Sequence, residues 1–249
     1  MTPMTPACRR PRRAAGALVA AGLAAVGSTM TMVVSTMPVE ATPLAVVDRV
    51  DVPAVCCATA ERIDPQIPPR DVVAIVGDSL TVGVTSASIL GDDTIQNRLP
   101  DQGQATTLIS ARSGRTMAEG IAIIRSNRSA IRDADVVFVG LGTNDLFGNA
   151  GSTVAGAENE IERINQAIFE IDPTNVIVWI DVSVEAISQR TANFNAGLGN
   201  ITARFDSIEV CPWRHRALAT PGAFARDRIH LTTSGYRARR DIILACLAN

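Results

Sequence analysis

The chain has 249 residues, 47% of them apolar and 4% aromatic, which is enough apolar material for a sizeable core and too balanced for a disordered or fibrous class. Its formal net charge is −2, and all 23 basic residues are arginine. With no lysine present, a P-loop lysine, a Schiff base and a Ser-Lys dyad are all excluded, and the arginines beyond residue 13 are scattered without the basic stripe that a nucleic-acid partner would require.

Residues 1–41 differ in kind from the rest. Arg9, Arg10, Arg12 and Arg13 precede an Ala/Leu/Val-rich run from Ala14 to about Val26, then a Ser/Thr/Met stretch, then Val39-Glu40-Ala41, a small-x-small pattern before Thr42. This is the layout of a secretory signal. The alternative is an uncleaved membrane anchor over Ala14 to Val34, but its alanines, glycines and hydroxyl residues make a weakly apolar span, so cleavage is favoured. Cys8 lies before the apolar run, so no lipobox cysteine follows it. Loss of four arginines and Glu40 would leave a more acidic remainder. The protein is expected to be secreted or associated with the cell envelope.

Cleavage would remove Cys8 and leave Cys56, Cys57, Cys211 and Cys246, an even number suited to an oxidising compartment. Three connectivities are open. A bridge between adjacent cysteines is strained, so the reading leans towards Cys56 and Cys57 each reaching Cys211 or Cys246 and stapling the N-terminal segment to the C-terminal part of the fold. Cys-Cys without a spacer, and only two histidines, match no zinc-ligand spacing, so no metal is expected.

Residues 42–70 carry Pro43, Pro53, Pro65, Pro68 and Pro69 and read as an extended arm. From residue 71 to 249 strand-like and helix-like patterns alternate within one domain. Strands are expected at Val72–Val76, Thr106–Ser110, Val136–Leu141, Val176–Val182 and Ile208–Cys211, rich in Val and Ile and mostly apolar on both faces, as in a covered parallel sheet. Helical spacing joins Ile161, Ile164, Ile168 and Ile171, and again Phe194, Leu198, Ile201 and Phe205. Ser234 is expected to cap a last helix running to about Leu247. The alternation gives an α/β class: a three-layer α/β/α sandwich on a mainly parallel five-stranded sheet with right-handed crossovers.

The first strand ends in Gly77-Asp78-Ser79-Leu80-Thr81. That puts Ser79 at the carboxyl end of a strand, where open parallel sheets bind ligands and where a following helix aims backbone N–H groups at an oxyanion. Taken alone, the stretch is equally a turn in which Ser79 or Thr81 caps the helix. Three further stretches fall where such a sheet gathers its loops: Ser113-Gly114-Arg115-Thr116, Gly142-Thr143-Asn144-Asp145 and Asp227-Arg228-Ile229-His230-Leu231. Each is an ordinary turn by itself. Together with Ser79 they supply the parts of an acyl-transfer site.

The four stretches, in this order, resemble the blocks of the SGNH or GDSL hydrolase family: a Gly-Asp-Ser-Leu nucleophile, a glycine, a Gly-x-Asn-Asp and an Asp-x-x-His. The resemblance covers roughly residues 72–247 and implies the flavodoxin-like SGNH hydrolase fold. The α/β-hydrolase elbow fits less well, because Thr81 stands where Gly-x-Ser-x-Gly needs its second glycine.

A serine hydroxyl needs a base to take its proton and return it to the leaving alkoxide. His230 is the candidate, and Asp227, three residues earlier, can hold its tautomer from the same loop. By resemblance, the oxyanion donors are the backbone N–H groups of Ser79 and Gly114 and the side-chain amide of Asn144. His215, among arginines on an expected loop, is read as a surface histidine. Asp78 and Asp145 are read as loop braces and Trp179 as core. Gly140-Leu141-Gly142 starts like a dinucleotide fingerprint but lacks the third glycine, so no nicotinamide cofactor, and no other cofactor, is expected.

The leading reading is a secreted serine esterase forming an acyl-enzyme on Ser79. An acyltransferase with the same triad, passing the acyl group to an envelope sugar, and a non-catalytic envelope-binding protein are the alternatives; the second has no need of a general base. Few aromatics and no long apolar lid segment point to short acyl chains on a carbohydrate or small alcohol as the ester substrate.

Overall fold

The computed structural model describes residues 70–148 and 151–248, which belong to one unit, Glu61–Asn249. The candidate signal, the proline-rich arm up to residue 69, Cys56 and Cys57 lie outside the described residues.

Five strands form at the Val/Ile-rich segments: β1 (Val72–Gly77), β2 (Ala105–Ala111), β3 (Val136–Gly140), β4 (Val176–Ile180) and β5 (Ile208–Cys211). All neighbouring pairs are parallel, in the order β2-β1-β3-β4-β5. Because β2 pairs on one side of β1 and β3 on the other, the chain direction across the sheet reverses at β1. The crevice this opens at the strands' carboxyl ends is where a doubly wound sheet takes its ligand.

Helices fill the intervals: α1 (Ser79–Thr85), α2 (Ala87–Leu90), α3 (Ile95–Arg98), α4 (Met117–Ser126), α5 (Arg128–Arg132), α6 (Val154–Phe169), α7 (Ser188–Thr202), α8 (Trp213–Leu218) and α9 (Thr233–Leu247). Strand side chains alternate between two cores. Ala74, Val76, Val137, Val139, Ile177 and Trp179 pack with apolar residues of α4, α6 and α7, among them Ile124, Ile164 and Leu198. Val73, Ile75, Phe138, Val178 and Ile180 pack with residues of α1, α8 and α9, among them Leu80, Trp213 and Leu244. The result is a three-layer sandwich with apolar residues on both faces of its central strands.

Several boundaries differ from the sequence reading. β4 stops at Ile180, because the Val182 N–H donates to Asn195 Oδ1 (3.0 Å) and the Val182 carbonyl accepts from Asn195 Nδ2 (2.9 Å), which takes that residue out of the ladder. Phe205 lies beyond the end of α7 and is 44% exposed, so the apolar stripe of that helix ends at Ile201. Thr232, rather than Ser234, caps α9, its hydroxyl accepting the Gly235 N–H at 3.3 Å.

The cysteine pairing also needs correcting. Cys211, at the end of β5, is bonded to Cys246 in α9, with Cα atoms 5.7 Å apart. Neither is therefore free for Cys56 or Cys57. The bridge ties the last strand to the last helix, and Arg70 binds both the Cys246 carbonyl (3.1 Å) and the Glu209 carboxylate beside it.

Candidate active site

β1 ends at Gly77, whose lack of a side chain is required: a Cβ there would sit 1.9 Å from Thr81 Oγ1. The turn that follows is held from two sides. The Asp78 N–H donates to the Gly140 carbonyl at the end of β3 (3.0 Å), and the Asp78 carboxylate accepts the Leu80 N–H (2.9 Å) as the cap of α1. Ser79 is thereby fixed as the first residue of α1, in the crevice between β1 and β3, and is 8% exposed. Asp78 is a brace, as its sequence context suggests.

The C-terminal block forms a tight reversal between Phe224 and Leu231, which pair as an isolated antiparallel bridge. The loop closes through the Ala225 N–H to the His230 carbonyl (2.8 Å) and turns through Arg228, which holds a left-handed φ of 57°. A non-glycine residue in that region stores on the order of 1 kcal/mol of strain. Its tip presents Asp227 and His230 together. His230 Nδ1 donates to Asp227 Oδ2 (2.7 Å), and the Ile229 and His230 N–H groups donate to Asp227 Oδ1 (3.0 and 2.9 Å). These bonds, the imidazole's first, hold the Asp227 carboxyl down to about 2. On the other edge of the ring, His230 Nε2 lies 3.1 Å from Ser79 Oγ, placed to accept the hydroxyl proton. Residues 151 positions apart in sequence thus form one continuous chain of hydrogen bonds.

The other two blocks are coupled to each other. Gly114 has φ 74°, with nothing within 4 Å of where a Cβ would be, so the requirement there is backbone conformation and not space. Asn144 Nδ2 donates to the Arg115 carbonyl (2.9 Å), which occupies one of its two amide hydrogens and fixes the side chain. Both oxygens of Asp145 accept the Met117 N–H (3.0 and 3.1 Å), so Asp145 also braces, and burial pushes its carboxyl up to about 6. Arg115, which the sequence reading passed over, is buried and donates from Nη1 to the carbonyls of Gly77 (3.0 Å) and Ser110 (2.5 Å), lashing this loop to the end of β1. Its position next to Gly114 was the only sequence signal for that role.

The remaining sequence readings divide simply. His215 is exposed on α8 and not on a loop, and it is no member of the hydrogen-bonded chain of Ser79, His230 and Asp227. Trp179 is fully buried and donates Nε1 to Asn165 Oδ1 (2.8 Å). Among the described residues no group of three or more His, Cys, Asp or Glu side chains could hold a metal ion.

A family model described as GDSL-like Lipase/Acylhydrolase matches residues 75–238, a span that holds all four blocks. Among curated protein sequences none matches significantly. Solved structures with the same fold include TesA (18% identity, TM-score 0.58, 71% of this chain and 97% of that one), the acetyl xylan esterase AlAXEase (18%, 0.56, 70% and 98%) and a carbohydrate acetylesterase family member from Sinorhizobium meliloti (17%, 0.54, 71% and 96%).

Proposed function

This chain belongs to the GDSL-like lipase/acylhydrolase family of ester-bond hydrolases, and we propose that within it the protein is a secreted serine esterase that removes short acyl groups from a carbohydrate or small alcohol. The observation that carries the reading is the chain Ser79 Oγ, His230 Nε2, His230 Nδ1, Asp227 Oδ2, with steps of 3.1 and 2.7 Å.

In this mechanism Ser79 Oγ attacks the ester carbonyl as its proton passes to His230 Nε2. Asp227 holds the imidazole in the tautomer that leaves Nε2 free to accept, then stabilises the imidazolium. The carbonyl oxygen becomes an oxyanion that takes hydrogen bonds from the Ser79 and Gly114 N–H groups and from the Asn144 amide hydrogen not used by Arg115. The intermediate collapses, the C–O bond to the alcohol breaks, and the imidazolium returns its proton to the departing alkoxide. Water, deprotonated by His230, then attacks the acyl-enzyme, the same donors stabilise the second oxyanion, and its collapse breaks the bond from the acyl carbon to Ser79 Oγ, releases the carboxylic acid and returns the His230 proton to the serine.

The short-acyl, carbohydrate reading draws support from fold neighbours described as an acetyl xylan esterase and a carbohydrate acetylesterase family member. Export draws support from the signal-like N-terminus and from the Cys211–Cys246 bridge, since disulfides persist in oxidising compartments. The test is turnover on p-nitrophenyl esters from acetate to palmitate, followed by release of acetate from acetylated xylan. Best turnover on acetate or butyrate is expected; best turnover on palmitate would overturn the substrate reading.

A further inference from the structure

Behind Ser79 lies a buried arginine that the mechanism does not use. Arg239, on α9, is 2% exposed, with its guanidinium 5.2 Å over the ring of Trp213 and Nη2 3.8 Å from where a Cβ on Gly140 would sit. Gly140 is the residue whose carbonyl accepts the Asp78 N–H. The cation is therefore packed against the carboxyl end of β3, at the residue that receives the Asp78 N–H. Asp78 is itself fully buried, and its Oδ2, like Arg239 Nε and Nη1, makes no hydrogen bond.

A carboxylate without water or a full set of donors is driven towards its neutral form. We propose that Arg239 is a positioning residue for the esterase reaction proposed above: packed against Gly140, which receives the Asp78 N–H, its buried charge supports Asp78 as the cap of α1, which holds Ser79 in line with His230. An ionised cap accepts the Leu80 N–H more strongly than a neutral one, and that bond fixes the first turn, where the Ser79 hydroxyl and N–H both originate.

The electrostatics are in keeping with this arrangement. Burial pushes the Asp78 carboxyl up, and Arg239 is the foremost of the influences that pull it back, ahead of the Leu80 N–H, Thr143 and His230. Burial in turn brings Arg239 down to about 10, so it remains a cation at neutral pH. The charged and titratable groups around the pair are Asp181 at the end of β4, Tyr236 on α9, His230 on the reversal, and Arg115 and Asp145 on the loops after β2 and β3. Asp181 also faces Arg239, but its carboxylate accepts the Arg214 N–H at the start of α8 (2.6 Å) and does not cap the nucleophile helix.

The test is the pH dependence of kcat/KM for p-nitrophenyl acetate in wild type, Arg239→Met, Arg239→Lys, Asp78→Asn and the Arg239→Met/Asp78→Asn double variant. Removing the cation lets Asp78 protonate at higher pH, so Arg239→Met should move the acid limb up by about one pH unit or more. Arg239→Lys, which keeps a cation, should leave the limb in place. In the Asp78→Asn background, Arg239→Met should produce no further movement. A limb that moves equally in that background would show that Arg239 acts on another group, and an unmoved limb in Arg239→Met would overturn the proposal outright. If Arg239→Met does not fold, Arg239→Gln, which removes the charge and keeps a polar side chain, decides in the same pair of backgrounds: a limb moved up only when Asp78 is present is expected, and an unmoved limb contradicts the role. Fluorophosphonate labelling of wild type separates the two levels. An active, labelled enzyme with indifferent Arg239 variants defeats this inference alone, whereas a wild type that neither labels nor hydrolyses any ester defeats the esterase reading.

Discussion

Asn144 donates its side-chain amide to the Arg115 carbonyl at 2.9 Å, so two of the three elements assigned to the oxyanion hole are held to each other before any substrate arrives. The neighbouring bond from the Met117 N–H to Asp145 ties the same two loops again, one residue beyond Asn144 and two beyond Arg115. Preorganisation of this kind keeps the cost of aligning donors out of the reaction step.

Asn144→Ala should therefore lower kcat by about 100- to 1,000-fold with a small change in KM, since the lost donor acts on charge that develops only in the transition state. Steady-state kinetics on p-nitrophenyl acetate measure it, with circular dichroism to check that the loop pair still folds. A change confined to KM would remove Asn144 from the oxyanion site.

Asp227→Asn should keep the loop but disturb the tautomer, lowering kcat by about 1,000- to 10,000-fold by analogy with serine proteases. The same substitution has a signature in stability. A carboxyl held below its usual range contributes stability that is present above its unfolded-state value near 3.8 and lost as pH falls towards about 2. The difference in stability between wild type and Asp227→Asn should thus be constant above about pH 5 and shrink below about pH 4. Urea titrations from pH 7 to pH 3 would show it, and a difference that grows on acidification would contradict the bonds at Asp227.

Gly77→Ala should destabilise the protein by about 1–3 kcal/mol and lower kcat together, because its Cβ would drive into the buried Thr81 side chain on the helix that carries Ser79. Urea midpoints and turnover measured on the same samples check both. A stable, fully active variant would mean that the turn has slack the structure does not show.

Replacing both Cys211 and Cys246 by Ala should lower the thermal midpoint by roughly 10 °C while leaving kcat near wild type. The bridge closes a loop of 35 residues, which corresponds to about 3–4 kcal/mol of chain entropy, and it ties β5 to α9 away from Ser79. Calorimetry with a parallel activity assay tests it; a large loss of kcat without loss of stability would place the bridge in the site.

Much of this arrangement was legible because it is encoded locally. Apolar Val/Ile runs such as Val136–Gly140 stop at small polar stretches, so position in the chain put the stretches that hold Ser79, Gly114 and Asn144 past strand ends, while it was the resemblance to the SGNH blocks that singled out these residues within them. Asp227 and His230 were legible for the same reason, being three residues apart on one turn. The pairing of Cys211 with Cys246 was not, because nothing local distinguishes one long-range cysteine partner from another. Arg239 was hidden too: in sequence it lies in Arg237-Ala238-Arg239-Arg240, a run that reads as a solvated helix face, and only the packing of α9 shows which arginine is buried behind the nucleophile. The end of β4 depended on the distant Asn195 side chain taking over the backbone groups of Val182.

Whether Ser79 is the nucleophile and His230 its base is tested by kcat/KM for p-nitrophenyl acetate in wild type and Ser79→Ala, with intact-mass analysis after fluorophosphonate treatment. The variant should lose several orders of magnitude, wild type should gain one phosphonyl adduct at Ser79, and Ser79→Ala should gain none. Retention of more than about a tenth of wild-type turnover by Ser79→Ala, or an adduct on another serine, would contradict it.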